Sequence, residues 1–279
     1  MSDGFLRALT DVDELSRALR SDAAPVLLDV RWQLGGPSQL PAYLAGHLPG
    51  ARWCELDTDL ADPAGPRGRH PLPDPSRLQV SMRRWGLHAD SDVVVYDGGS
   101  SLSASRAWWV LRWAGQRRVR VLDGGLAAWL AASLPLQAEV EAVPPGSVSV
   151  QPGSLPTLDA AAAQAWAAEG RLVDVRAPER FRGEVEPIDP VPGRIPAAIN
   201  LPSTGNLVAD RFASVPVLRQ RFAAAADTAE GKPLGVYCGS GVTAAHTVLA
   251  MHLAGVEAVL YPGSWSEWIT DPGRPVEIG

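Results

Sequence analysis

Cysteine is scarce in this chain, with two residues in 279. Two cannot build a disulfide framework for a protein this size. That suits a reducing compartment and a cytoplasmic location, where a special cysteine is catalytic rather than structural. Long apolar runs are missing too: none approaches the roughly 18–20 residues needed to span a bilayer. Basic charge is not in excess. Lysine and arginine total 25 against 31 acids, a formal net charge of −6. The chain has no basic stripe for nucleic acid and no polybasic segment for an anionic membrane. The opening "MSDGFLRALTDVDELSRALR" lacks the apolar core of a secretory signal, and its acids fit a transit peptide poorly. It reads as an amphipathic helix capped by Thr10 or Asp11, with Val12, Leu15 and Leu19 on one face. Metal ligands do not cluster. His246 and His252 stand six residues apart on one helical stretch without companions, so no metal and no cofactor is expected.

What the chain does have is glycine (27) and proline (25) for many tight turns, and ten tryptophans of the kind that fill cores. Hydrophobic residues at 46% and charged residues at 20% describe an ordinary globular protein. At this length two domains are expected, and the chain is in fact written twice. "VLLDVR" (26–31) returns as "RLVDVR" (171–176), and "GHLPGA" (46–51) as "GRIPAA" (193–198). "DVVVYDGGSSLSASRAWWVLRWAG" (92–115) answers "PLGVYCGSGVTAAHTVLAMHLAG" (233–255), and "VRVLDGGLAAWL" (119–130) answers "AVLYPGSWSEWI" (258–269). The expected layout is a first domain over 1–140, a proline- and glycine-rich linker over 137–157, and a second domain over 155–279. Each copy alternates short β-branched runs with helical stretches. This predicts an α/β domain with a mainly parallel sheet flanked by helices. Ligands of such sheets bind beyond the carboxyl ends of strands. Cys238 stands at such a point, and the first copy has Asp97 there, in a loop two residues longer.

An ordinary thiol is only about 3% ionised at neutral pH, so a nucleophilic cysteine needs its anion stabilised. The segment Cys238-Gly239-Ser240-Gly241-Val242-Thr243 has parts that could do so. Two glycines let successive N–H groups turn inward as an anion nest. A helix N-terminus follows, which Thr243 is placed to cap. The segment carries no charged side chain. On these features alone, an inert core thiol and a presented nucleophile are both open.

The motifs "GHLPGA", "VVVYD", "LDGGLAAW", "DVRAPERFRGE", "CGSGVTA" and "GSWSEW", in this order and spacing, resemble the tandem-domain rhodanese and 3-mercaptopyruvate sulfurtransferase family across essentially the whole chain. The resemblance implies two rhodanese-like domains, the first non-catalytic. It implies a sulfurtransferase in which Cys238 takes a sulfane sulfur as a persulfide and passes it to a thiol such as thioredoxin, or to cyanide. "CGSGVT" resembles the mercaptopyruvate members, since thiosulfate-specific members tend to carry cations in this loop. The resemblance gives Arg180 the substrate's anionic group, with Gly239, Gly241, Val242 and Thr243 lining the same subsite. It makes Ser240, His70 and Asp57 a proton-delivering set, with Asp59 as the fallback for Asp57.

The sequence departs from the pattern once: a second arginine is expected nine residues after Arg180, and Asp189 stands there. Arg182 or Arg194 could substitute, and Arg67 and Arg69 beside His70 could reach the cleft mouth. A thiosulfate:cyanide sulfurtransferase therefore stays open, as does a non-catalytic persulfide carrier or partner-docking module. A cysteine phosphatase would want an arginine six residues after the cysteine, where Ala244 stands. Cys54, without a glycine turn or a cap, is expected to be packed near a strand. Trp265 and Trp268 could wall the pocket or fill the core. A monomer is expected.

Overall fold

The computed structural model describes residues 7–279. Residues 1–6, which open the stretch read above for a leader, lie outside the described residues. The chain divides into two units. The first comprises the chain up to Asp62, Pro73–Leu155 and Ala209–Arg211, and the second Pro63–Leu72, Pro156–Val208 and Phe212–Gly279.

The first unit runs β1 (Leu9–Thr10), α1 (Val12–Ala18), β2 (Val26–Asp29), α2 (Leu40–Ala45), β3 (Arg52–Trp53), α3 (Leu56–Asp59), α4 (Pro75–Arg84), β4 (Val93–Tyr96), α5 (Leu102–Trp113), β5 (Val119–Leu122) and α6 (Gly125–Ala131). Its sheet has the order β1-β5-β4-β2-β3, and every pairing is parallel. β4, sequence VVVY, is buried along its whole length, as a strand covered on both faces should be. Asp11 caps α1 by accepting from the Glu14 N–H at 2.8 Å, one of the two caps expected. The stretch 137–157 lies largely along this unit, where Val148 donates its N–H to the Leu87 carbonyl and Gln151 to that of Ala114. After β4, the Asp97 carboxylate turns into its own loop. It accepts from the N–H groups of Gly99 (2.9 Å), Ser101 (3.0 Å) and Ala104 (3.3 Å), and from the Ser103 hydroxyl (3.3 Å). Burial still raises its pKa, against the pull of those bonds.

The second unit runs α7 (Ala160–Ala168), β6 (Leu172–Asp174), α8 (Pro178–Phe181), β7 (Ile199–Asn200), a 3-10 turn (Ser203–Asn206), β8 (Leu207–Val208), β9 (Arg211–Phe212, its first residue counted with the other unit), α9 (Val215–Thr228), β10 (Leu234–Tyr237), α10 (Val242–Ala254), β11 (Ala258–Leu260) and α11 (Ser264–Trp268). Its main sheet is β11-β10-β6-β7, again parallel. Thr157 bridges Leu260 where β1 borders β5 in the first unit. Trp265 and Trp268 are fully buried in this unit's core. Each indole N–H is held, to the Val191 and Pro275 carbonyls. They fill the core.

Both units share one polar strut. Arg31 grips Asp29 and donates to the Gly46 carbonyl, while the Tyr96 hydroxyl donates to Asp29 at 2.7 Å. Arg176 grips Asp174 at 2.6 Å and donates to the Gly193 carbonyl at 2.7 Å. The Tyr237 hydroxyl accepts from the Ile195 N–H at 3.2 Å. Burial, then the Asp174 charge, push the Tyr237 phenol well up, so it stays neutral. A buried ion pair is tolerable only when its remaining polar atoms are satisfied in this way. The strut fixes the strand end that delivers the next residue, Asp97 in one unit and Cys238 in the other. Among the described residues no helix is long and apolar enough to cross a membrane.

Candidate active site

Cys238 follows β10 directly and is only 3% exposed. Its carbonyl accepts from the Trp265 N–H (3.0 Å), and that of Gly239 from the Ser266 N–H (2.9 Å). Those bonds turn the loop's carbonyls toward the start of α11. The Gly241 N–H donates to Cys238 Sγ at 3.1 Å. Gly241 has φ +80° and is the N-cap of α10, with no side-chain capping bond. Val242 is therefore the first helical residue and Thr243 the second, so Thr243 does not cap the helix. A glycine makes the turn, and the uncapped helix start lies beside the sulfur, where its partial positive charge favours an anion.

Two serines that sequence reasoning passed over hold this loop. Ser264 Oγ accepts from the Cys238 N–H at 3.2 Å and donates to the Tyr261 carbonyl at 2.9 Å. Ser266 Oγ donates to the Gly263 carbonyl and accepts from the Arg69 N–H at 3.0 Å. The repeat contained a signal: Gly125 in the first copy and Ser264 in the second share a left-handed turn, φ +50° and +54°. Only the second carries a hydroxyl there.

His70 lies in the segment 63–72 that belongs to this unit. Its Nδ1 shares a 2.8 Å hydrogen bond with Ser240 Oγ, both side chains being buried. Arg180, on α8, is largely buried and holds Glu186 through Nε (3.1 Å) and Nη2 (2.7 Å), and Asp189 through Nη2 (3.2 Å). Burial alone would raise the Glu186 carboxyl. Hydrogen bonds from Arg180 and from the N–H groups of Asp189 and Ile188 outweigh it and hold Glu186 below its ordinary range. Arg69 pairs with the other oxygen of Asp189. The arginines reach the loop itself: a Cβ on Gly239 would stand 2.9 Å from Arg69 Nη2 and 3.6 Å from Arg180 Nη2. The loop lacks charge, yet two guanidinium groups lie against it.

The remaining candidates have the following partners within their own units. Arg182 is an exposed partner of Glu184. Arg194 pairs with Glu277 and stacks on Phe181. Asp57 belongs to the first unit, where it is exposed and accepts the Trp32 indole N–H at 3.0 Å. Asp59 is engaged locally by the Glu55 N–H, the Ser81 hydroxyl and Arg84. Cys54 is fully buried just after β3, and burial pushes its thiol well up. It is inert as a nucleophile.

The second unit therefore holds a thiol under a backbone donor, a hydroxyl–imidazole pair beside it, and two arginines across the next residue. That set can stabilise a sulfur anion, move a proton and hold a carboxylate. The family model for the rhodanese-like domain matches residues 11–132 and again 157–271. A Pseudomonas aeruginosa protein provisionally named a 3-mercaptopyruvate sulfurtransferase is 49% identical over 265 residues, covering 91% of this chain and 92% of that one. A Mycobacterium tuberculosis protein provisionally named a thiosulfate sulfurtransferase is 45% identical over 280 residues, covering 98% of each. Among solved structures, the 3-mercaptopyruvate sulfotransferase SseA from Escherichia coli superposes with a TM-score of 0.83 at 31% identity, covering 94% of this chain and 100% of that one.

Proposed function

The chain belongs to the rhodanese-like domain family and is a sulfurtransferase, and on that premise we propose that it moves sulfur from 3-mercaptopyruvate through Cys238 to a thiol or cyanide. The Cys238 thiolate attacks the donor's sulfur. The carbon–sulfur bond breaks, and its electron pair leaves on carbon as the enolate of pyruvate. Cys238 is left as a persulfide. The enolate takes a proton relayed by Ser240 and His70. An acceptor thiolate then attacks the outer sulfur and returns Cys238 as a thiolate, while cyanide would leave as thiocyanate.

The observation that carries this reading is the 2.8 Å bond between His70 Nδ1 and Ser240 Oγ, two residues from the cysteine. A carbon leaving group needs a proton. Thiosulfate releases sulfite, an anion that needs none. Charge points the same way: Glu186 and Asp189 formally offset Arg180 and Arg69, which suits one carboxylate better than a dianion. Thiosulfate is the second reading, favoured by the two guanidinium groups against Gly239 and by the name of the M. tuberculosis relative. Both cysteines are free thiols, in keeping with a reducing compartment such as the cytoplasm and a dithiol acceptor such as thioredoxin. The residues invoked lie on one chain, so a monomer suffices.

The test is kcat/KM with each donor, followed by peptide mass spectrometry. Each productive donor should add about 32 Da to the Cys238 peptide, as one extra sulfur. Cys238→Ser should abolish both the added mass and turnover, and retained turnover overturns the assignment. A strong wild-type preference for thiosulfate overturns the donor.

A further inference from the structure

We infer that Arg69 supplies the second substrate-binding guanidinium that position 189 lacks, so that Arg69 and Arg180 hold the donor's carboxylate together over Gly239, braced by Asp189. This rests on the carboxylate-donor reading above. An acid at 189 would by itself repel such a donor. Here its side chain is almost fully buried, with one oxygen on Arg69 and the other on Arg180. Its charge is taken up by the two arginines, and it fixes their separation.

Arg69 is placed by its backbone as well. Its N–H donates to Ser266 Oγ. Gly68 before it packs so closely that a Cβ there would stand 2.7 Å from the Gly263 carbonyl oxygen. The Thr270 hydroxyl donates to the Pro66 carbonyl at 3.2 Å. A segment held at three points on α11 and its approaches presents the side chain to the residue after the cysteine. Asp189 engages Nη1, leaving Nη2 at the Gly239 face. Nε is buried without a hydrogen-bond partner, a donor of the kind proteins seldom leave unused. On Arg180, Nε and Nη2 are engaged, while Nη1 stands 3.7 Å from the same Gly239 position. The unengaged edges of two guanidinium groups thus converge on one point. A planar carboxylate fits there with an oxygen to each.

The test compares alkylation of Cys238 by iodoacetate and by iodoacetamide, read on the Cys238 peptide so that Cys54 does not contribute. The two reagents share electrophile and leaving group and differ in the carboxylate. In wild type the iodoacetate rate should exceed what its charge alone allows. Arg69→Gln should lower it about tenfold, the loss of one charge-assisted hydrogen bond, while the iodoacetamide rate stays within about twofold. An unchanged ratio of the two rates overturns the inference, whether both rates persist or both fall together as a purely structural role requires. The ratio involves no sulfur donor. It therefore stands or falls apart from the donor reading, which the wild-type kcat/KM values decide.

Discussion

Gly241 and Gly255 bound the same helix, α10, at its two ends, with φ +80° and +78°. Alanine at either pays the same penalty for left-handed backbone, about 1–2 kcal/mol. Their surroundings differ. A Cβ at 255 meets nothing within 4 Å, whereas at 241 it would stand 2.4 Å from the Pro262 carbonyl oxygen. That is well inside van der Waals contact with a backbone atom that cannot swing aside, so the loop must move by most of an ångström. The atom displaced is the Gly241 nitrogen, now 3.1 Å from Cys238 Sγ. Gly255→Ala should lower Tm by about 2–4 °C for each kcal/mol lost and leave kcat/KM unchanged. Gly241→Ala should lower Tm further and cost about 100-fold in kcat/KM, as ångström-scale misplacement of a reacting group does. Ser101, at the matching position of the first unit, holds φ +61° with a side chain. Backbone strain alone is therefore bearable, and the Pro262 contact is decisive. Thermal melts and steady-state kinetics on the two variants check this. If Gly241→Ala keeps kcat/KM within a few-fold of Gly255→Ala, the close approach is not what shapes the loop.

Two further outcomes follow. Ser240→Ala should reduce kcat with 3-mercaptopyruvate by about 100-fold or more, the usual worth of a positioned proton donor, and leave thiosulfate turnover nearly unaffected; equal losses with both donors would remove the proton-delivery role. His246 is fully buried on α10, stacked on Phe212 at 4.6 Å, and burial lowers its pKa to about 3. Between that value and the unfolded pKa near 6.5 only the unfolded chain is protonated, so stability falls by about 1.4 kcal/mol per pH unit as pH drops through the window. In urea titrations, His246→Gln should gain about 2 kcal/mol relative to wild type between pH 6.5 and 4.5, and parallel stability–pH curves would refute it.

Duplication made both sheets legible, because "VVVY" and "LGVY" each lead into a loop and a helix, the helices starting within one residue of the same distance. It also singled out Cys238 by contrast with Asp97. Local chemistry was harder to read. Thr243 has a capping residue's composition, yet glycine can turn a chain into a helix without any side-chain acceptor, and here it does. Arg69 was legible only as a neighbour of His70, and its partner was not. It meets Asp189 across 120 residues, and a pair between distant segments leaves no period in the sequence. His70 was legible only by resemblance, since a histidine before a proline looks like any loop residue. The grouping of 63–72 with the second unit follows from packing at Ser266 and Gly263, and no shift in composition marks it.

The Asp97 loop closes on its own side chain. A carboxylate on a one-carbon tether is present at its own backbone donors at an effective concentration far beyond that of any free solute. The donors of the first unit's loop are thus satisfied from within by Asp97. Of the two copies of the loop, the first turns its backbone donors onto its own carboxylate, and the second turns the Gly241 N–H onto the Cys238 sulfur.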